Sequence, residues 1–438
     1  MQQTHQRFSE ETMGSLEFRP DIYAYPTPRM YKHLDAFPIN EVSFTDDINV
    51  YVHIPFCKQI CSFCGYLKII DAFNIRGKYV ERVVKEIKKY EMVLKGKRIK
   101  TLHFGGGTPS LLTPSELGKI INAIASANPC LDETLEEVSI EATPESVEYE
   151  KFLEYRELGI NRVSIGVQSF KNDEISSSRR HNLPHTSKEA LRILRRVGIH
   201  NIVVDLMIGM EGQTKESFKE SVKETISLRP DTVELFALGV VPNTYISSKK
   251  TSLMKSEEIY GCYRSSNELF VESGYVQACH NRYTIKENGG FLQQDYALRG
   301  MSLLGFGAGA RSYGINACYR NSSGSANNTQ EVMKYISDAD TGKYHRTGVF
   351  LTKEESLRKY AIGHIEALDT KEFESRFGIS FKEKFYGIYK KVRDLGLIEE
   401  GEGMIKLSKE GLIFRDAVAY MFFSEEAKAL EEAYRKCE

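Results

Sequence analysis

Six short β-rich runs recur along the first half of the chain, each followed by an amphipathic stretch. The runs are INVYVHI (48–54), IKTLHF (99–104), EEVSIEA (136–142), NRVSIGV (161–167), NIVVDLM (201–207) and TVELFAL (232–238). They are short and nearly all apolar, as expected for strands covered on both faces. Between them, KYVERVVKEIKKYEMVL (78–94) sets Val80, Val83, Val84, Ile87 and Tyr90 on one face at helical spacing, with lysines and glutamates opposite. TPSELGKIINAIASA (113–127) opens with Thr113 as N-cap, Pro114 as first helical residue and Glu116 at capping-box distance. SVEYEKFLEYRELG (146–159) and SKEALRILRRVG (187–198) both end on a glycine stop. TKESFKESVKETISL (214–228) repeats the capped start, and residues 254–273 supply a sixth helix. Six alternating units predict an α/β fold with a parallel sheet and helices outside, either doubly wound and open or curved into a partial barrel.

The flanks read differently. Residues 1–47 show no sustained period and form an approach segment before the first strand. A polar break, RNSSGSANNTQ (320–330), precedes a block of helices with a two-stranded wing at LIEEGEGMIKLS. The expected division is therefore an N-terminal segment at 1–47, a barrel and its extension at 48–319, and a winged-helix-like, mainly helical cap at 331–438. The charges over 381–395 alternate with apolar positions, the pattern of a solvated amphipathic face, so DNA binding is not expected of the wing.

Composition narrows the class of function. Of 438 residues, 41% are apolar and 27% charged, and the formal charge is −1. This is the profile of a globular protein without the basic footprint of a nucleic-acid binder. No run of about 18 apolar residues exists, so no membrane span is expected. The first 15 residues lack the layout of a signal peptide, which predicts a cytoplasmic chain with reduced thiols. Cys130, Cys262, Cys279, Cys318 and Cys437 are scattered singly and read as buried hydrophobes or free thiols.

The unusual residues share one address. CKQICSFCGY (57–66), with Cys57, Cys61 and Cys64 at Cys-x3-Cys-x2-Cys spacing, follows the first strand. GGGTPS (105–110) follows the second, Glu141 ends the third, Gln168 follows the fourth, Asp205 lies in the fifth and Gly239 follows the sixth. All fall at the C-terminal ends of strands, where barrel-type proteins build active sites. Three clustered thiols with no fourth ligand nearby suit an iron–sulfur cluster with one open iron better than a four-ligand zinc site, though zinc stays an alternative. The glycines let the backbone approach an anionic ligand. Glu141 and Asp205 suit ribose hydroxyls or an ammonium, and Arg179 or Arg180 suits a ligand carboxylate.

Taken in order, YVHIPFCKQICSFCGY, HFGGGTPS, IEATPE, INRVSIGVQSF, VVDLMIGM and the later LLGFGAGARSYG resemble the radical S-adenosylmethionine (SAM) superfamily. More narrowly they resemble its oxygen-independent coproporphyrinogen III oxidase-like (HemN-like) branch. The resemblance implies a partial (β/α)6 TIM-type barrel and a [4Fe–4S] cluster on Cys57, Cys61 and Cys64 whose open iron chelates SAM. Reductive cleavage of that SAM yields a 5′-deoxyadenosyl radical, with electrons from an external donor such as flavodoxin or ferredoxin. Carried over by position, Tyr51, Gly106, Glu141 and Arg311 fall at the first SAM, with Phe63 and Gly65 of the cysteine loop as further cofactor contacts. Gly107, Thr108, Gln168, Arg179 or Arg180, Asp205 and Gly239 fall around a second SAM. Tyr66 and Gln168 are the catalytic candidates. Arg311 departs from the aliphatic residue of the oxidase.

Tyr66 also stands where the oxidase carries a further cysteine, and the chain lacks both the His-Asn-x-x-Tyr-Trp motif of the related haem chaperone and any tryptophan. These departures predict a class C-type methyltransferase or cyclopropane-forming enzyme acting on a small molecule or peptide. Oxidative decarboxylation and haem carriage are the alternatives. The chain is expected to be monomeric, with no nucleic-acid or membrane partner. Cys279, His280, Arg282 and Arg299, between barrel and cap, are candidate substrate contacts.

Overall fold

The structure, a computed structural model, describes residue 16 and residues 25–34, 39–71, 73–242, 244–249, 253–287, 290–324, 327–341 and 345–435. Most of the N-terminal segment, including the stretch read for a signal peptide, and Cys437 lie outside the described residues.

The six expected strands are present as β1 (Asp47–Ile54), β2 (Arg98–Gly106), β3 (Glu137–Ala142), β4 (Arg162–Gln168), β5 (Asn201–Ile208) and β6 (Thr232–Ala237). They lie side by side in that order and all run parallel. Beyond β6 come two short antiparallel strands, β7 (Val276–Cys279) at the rim and β8 (Arg282–Thr284) next to β6. On the other side, β9 (Ser302–Phe306) pairs parallel to β1. An antiparallel extension then runs through β10 (Arg311–Tyr313), β11 (Ala317–Asn321) and β12 (Arg346–Phe350). The strand order is linear, so the sheet is an open arc of mixed direction and not a closed barrel.

Helices α1 (Phe73–Lys89), α2 (Pro114–Ala127), α3 (Tyr149–Glu157), α4 (Pro184–Val197), α5 (Lys215–Leu228) and α6 (Ser256–Glu272) match the six amphipathic stretches. The Thr113–Glu116 capping box forms with both bonds in place, a feature worth about 1 kcal/mol. Gly198 ends α4 in the left-handed conformation, φ 87°, where any side chain is strained. α4 begins three residues before the expected start because Pro184 takes its first position.

The strands differ from expectation in one respect that matters for function. They are uniformly apolar only on the helix-facing side. Ile48, Val50, Val52 and Ile54 are wholly buried under the helices, as are Leu102, Phe104, Ile140, Val163, Ile165, Val204 and Leu206. The alternate positions face the hollow of the arc, and these are largely polar. Thr101 Oγ1 donates to Asn49 Oδ1 at 2.7 Å, and Arg162 Nη2 donates to Glu234 Oε1 at 2.7 Å. Strand alternation therefore carries a polar interior lattice. A segment ending in α7 (Leu292–Leu298) fills the bottom of the hollow. Phe291 lies 3.7 Å under the Arg162 guanidinium, and Gln293 Oε1 accepts from Thr101 Oγ1 at 3.2 Å.

The sheet continues through β12, past residue 319, so residues 328–350 pack with the barrel unit. From Lys353 onward the chain folds as helices with a three-stranded sheet (Ala367–Asp369, Ile398–Gly401, Met404–Leu407). This part has its own core, built on the rings of Phe373, Phe381, Phe385 and Phe422. Among the described residues, no helix is long and apolar enough to cross a membrane.

Candidate functional site

The cysteine loop leaves β1 through a two-residue strand, Phe56–Cys57, that pairs with Ile69–Ile70. Backbone bonds pin it from three sides. Ser62 N–H donates to Ser178 O at 2.9 Å, Ile246 N–H to Ser62 O at 2.9 Å, and Asp71 N–H to Cys57 O at 2.8 Å. The Lys68 ammonium donates to the Cys64 carbonyl. Cys57, Cys61 and Cys64 are all free thiols. Burial pushes the Cys57 thiol up to about 12 despite a hydrogen bond from Thr108, with the two neighbouring thiols adding to the rise. Burial raises Cys64 too. Three soft sulfur donors on one loop pinned by its backbone are the ligand type an iron–sulfur cluster takes, so the donor set fits that group.

The glycine turn after β2 lies against this loop. Gly107 N–H donates to Ile54 O at 2.8 Å and Thr108 N–H to Phe56 O at 2.7 Å. A Cβ on Gly107 would stand 2.7 Å from Phe56 O and 3.0 Å from Cys57 Sγ. Gly106 has φ 117°, and a Cβ there would meet the His53 ring at 2.5 Å. Only glycine allows both the conformation and the approach.

Glu141 is fixed above this turn. Its Oε2 accepts from Gly106 N–H at 3.0 Å, and its Oε1 lies 3.2 Å from His103 Nε2. Burial would raise its carboxyl, but the His103 contact and the Gly106 N–H outweigh burial and leave it low and ionised. Tyr51 stacks on His103 and bonds His53 Nδ1 at 2.9 Å. His53 and His103 did not stand out in the sequence reading. Their inward positions, two residues from Tyr51 and Gly105 along alternating strands, are the signal that marks them.

Burial pushes His53 down to about 4, so it is neutral at pH 7 and is held by Leu67 O at 2.8 Å. The unfolded chain takes up this proton near pH 6.5 and the folded chain only near 4. Stability from this group is therefore complete above pH 6.5 and falls as pH drops towards 4, by on the order of 3 kcal/mol. Urea midpoints of wild type and His53→Gln at pH 7 and 4.5 check this; the wild type should lose more on acidification.

Across the hollow, β4 carries a register shift between Gly166 and Gln168. Gln168 takes φ 70°, rare for a residue with a side chain, and its buried Oε1 finds no hydrogen-bond partner in the protein. Strain and an orphaned acceptor together mark a ligand-facing position. Asp205 accepts from Ser164 Oγ at 2.8 and 2.9 Å, and burial together with neighbouring Glu234 raises its carboxyl well above the usual range. The two adjacent arginines part company. Arg179, at φ 60°, lays its guanidinium over the Tyr245 ring at 4.5 Å. Arg180 is buried, donates to Asn182 Oδ1 at 2.9 Å and to Gly166 O, and reaches Cys61 Sγ at 3.8 Å. Arg180 is thus the one turned to the cysteine loop.

Phe63 packs on a small apolar cluster of Met207, Met210, Leu238 and Ile246. A Cβ on Gly65 would come within 3.1 Å of Val241. Gly239 follows β6 as expected. Tyr66 lies deep in the molecule, yet 61% of its surface is accessible because it faces the open interior. Burial, with Glu141 and Cys64 nearby, pushes its phenol above the usual range, so it is protonated. Arg311 opens β10, and its charge acts on both Tyr66 and Tyr51.

The candidates between barrel and cap form a separate group. His280 Nδ1 lies 2.7 Å from Glu366 Oε1, and burial, which lowers it, is outweighed by Cys279 and Glu366, which push it up to about 10. Arg282 is committed to Gln294 and Asp295 inside the arc. Arg299 caps the C-terminal end of α7. A cavity of about 540 Å³ opens between His280 and the C-terminal region.

Comparison with known proteins fits this geometry. Residues 51–225 match the Radical SAM superfamily. The chain is 27% identical over 421 residues to the oxygen-independent coproporphyrinogen III oxidase of Pseudomonas aeruginosa, covering 90% of this chain and 89% of that one. It is 27% identical to the heme chaperone HemW of Bacillus subtilis, covering 86% and 99%. The solved coproporphyrinogen III oxidase HemN of Escherichia coli superposes with a TM-score of 0.77 at 23% identity, over 91% of this chain and 96% of that one, and so shares the fold. These relatives are oxidases and haem chaperones, and the expected closeness to methyltransferases is not supported. Residues 51–225 thus match the Radical SAM superfamily, whose [4Fe–4S] cluster and SAM suit the cysteine loop described above, and the chain is similar along most of its length to the oxygen-independent oxidases and HemW chaperones.

Proposed function

We propose that the chain performs oxidative radical chemistry on an apolar substrate bearing carboxylates, as its oxidase relative's name describes for coproporphyrinogen III. The observation that carries this reading is the cavity between the arc and the C-terminal region. Its walls are apolar at Leu235, Leu298 and Ile362, with the cations Lys359 and Arg376 among them, a pattern suited to rings with acidic side chains. The similarity to the oxidase spans both units that build this cavity.

The cluster and SAM, when bound, would supply one-electron chemistry able to remove a hydrogen atom from carbon. The chain's own residues do the rest. Cys57, Cys61 and Cys64 would hold the cluster. Tyr51, Gly106 and Glu141, with Arg311 alongside, orient the first SAM, Glu141 as an ionised acceptor. Gly107, Thr108, Gln168, Arg180, Asp205 and Gly239 would contact a second. Phe63 and its apolar neighbours exclude water behind the cysteine loop, and Tyr66 stands near Glu141 and Cys64 as a protonated phenol.

The test is anaerobic turnover of the cluster-loaded protein with SAM, a reductant, an electron acceptor and coproporphyrinogen III. Expected products are carbon dioxide and 5′-deoxyadenosine without S-adenosylhomocysteine. A second reading, methyl or methylene transfer through the second SAM, rests on Tyr66 at the position of the oxidase cysteine. Adenosylhomocysteine appearing together with deoxyadenosine would transfer the case to that reading. Stoichiometric haem binding with no SAM cleavage would instead make the chain a carrier.

A further inference from the structure

The structure assigns a second metal site to the junction of barrel and C-terminal region: Cys279, His280 and Glu366 form a three-ligand site for a zinc-class divalent cation, apart from the cysteine loop. One thiol sulfur, one imidazole nitrogen and one carboxylate oxygen lie within 4.8 Å of one another. They come from chain segments that meet only in the fold. Cys279 and His280 are consecutive, and in a regular strand their side chains would oppose each other. A register shift between Gln277 and Cys279 breaks the alternation as the chain enters the turn, which lets both face Glu366. Glu366 arrives from the turn before Ala367–Asp369.

The surroundings orient the donors. His280 N–H donates to Glu366 Oε2 at 3.2 Å, fixing the carboxylate with Oε1 towards the imidazole. Cys279 Sγ donates to Asn281 Oδ1 at 3.2 Å. Of the cations nearby, Arg282 pairs with Asp295, and Arg415 pairs with Asp416 Oδ1 at 2.8 Å while its Nε stays 3.7 Å from Glu366 Oε1, so a metal ion at this oxygen competes with Arg415. A thiolate and a carboxylate then balance a dication, so the site gains no net charge on loading. In a tetrahedral zinc site with bonds of about 2.0–2.3 Å the donors stand about 3.4–3.7 Å apart, so His280 and Glu366, now hydrogen-bonded at 2.7 Å, open by under about 1 Å to admit the ion between them.

Mixed sulfur, nitrogen and oxygen donors favour zinc over magnesium or calcium, which take oxygen alone. Three protein ligands leave a fourth position. His280 lines the 540 Å³ cavity, so that position opens towards whatever occupies it. Binding displaces the thiol proton of Cys279 and the proton shared by His280 and Glu366, and two protons leave per ion. This site does not depend on the reaction proposed above.

The test is zinc titration of the anaerobic, cluster-loaded chain, with metal analysis after dialysis and X-ray absorption at the zinc edge. The expected result is one zinc per chain with a single sulfur in its first coordination sphere. Binding should weaken by about 100-fold or more in Cys279→Ser and in Glu366→Gln, with iron and sulfide contents unchanged. Wild-type protein that retains no zinc overturns the site, whatever the variants do. So does zinc with three sulfurs, which would place it on Cys57, Cys61 and Cys64, or zinc retained equally by both variants.

Discussion

Cys64→Ala should fold as the parent does, lose most of its iron, and cleave SAM more than about 100-fold more slowly. The size follows from comparison: removing a group that merely supports a metal ligand costs 10–100-fold, and removing one of three ligands exceeds that. The fold should survive because the loop is held by its backbone. The bonds from Ser62, Ile246 and Asp71 involve no thiol, and the Lys68 contact is to the Cys64 carbonyl. Iron and sulfide analysis, the reduced cluster's electron paramagnetic resonance signal and deoxyadenosine release measure the loss. Cys130→Ala, at an exposed thiol, is the control and should change none of them. Full iron loading and undiminished SAM cleavage in Cys64→Ala would mean that the three cysteines are not the ligand set.

Much of this site is legible in the sequence because its residues hang from strand ends. A strand's position is set by local signals, apolar runs with capped helices between them, so six motifs can be given one address before any contact is known. What alternates within a strand is just as local, and β1 reads Ile-Asn-Val-Tyr-Val-His-Ile. Taking such runs as apolar throughout hid His53, His103 and the interior lattice, although the period of two was there to read. Other features are not local. The choice between Arg179 and Arg180 turns on a left-handed residue after a short helix, which reverses which side chain faces in. Glu366 meets His280 across 86 residues, and nothing near either marks the other. The mainly helical character of the C-terminal region was legible by its order of elements, whereas the pairing of β12 with β11 is a contact that no local signal marks. Tyr66 misled in a different way: one departure from a motif outweighed similarity spread over 421 aligned residues.

The interior lattice also predicts the largest loss of stability in the barrel. Arg162→Met should destabilise the chain by about 3–5 kcal/mol, the range for removing one partner of a buried ion pair. Arg162 and Glu234 are nearly inaccessible, at 2% and 8% for their side chains, and the guanidinium also donates to Gly290 O at 2.9 Å and covers Phe291. Without it, Glu234 is left inside the arc beside Asp205, and the other nearby guanidinium, Arg282, is already bound to Asp295. Glu234 then loses its buried partner and keeps a carboxylate neighbour, which is the costly half of a broken buried pair. Methionine restores the apolar volume over Phe291, so the loss measured is chiefly electrostatic. The double variant Arg162→Met/Glu234→Met removes the stranded charge as well and should recover most of the loss. Urea unfolding of the three proteins at pH 7 decides it, with SAM binding as a second readout. Among the described residues Asp205 accepts from Ser164 alone, and its carboxyl is raised first by burial and then by Glu234. The single variant should therefore weaken SAM binding more than the double. A single variant as stable as the parent would show that the pair is dispensable. A double variant no better than the single would place the loss in the Gly290 and Phe291 contacts instead of in the charge.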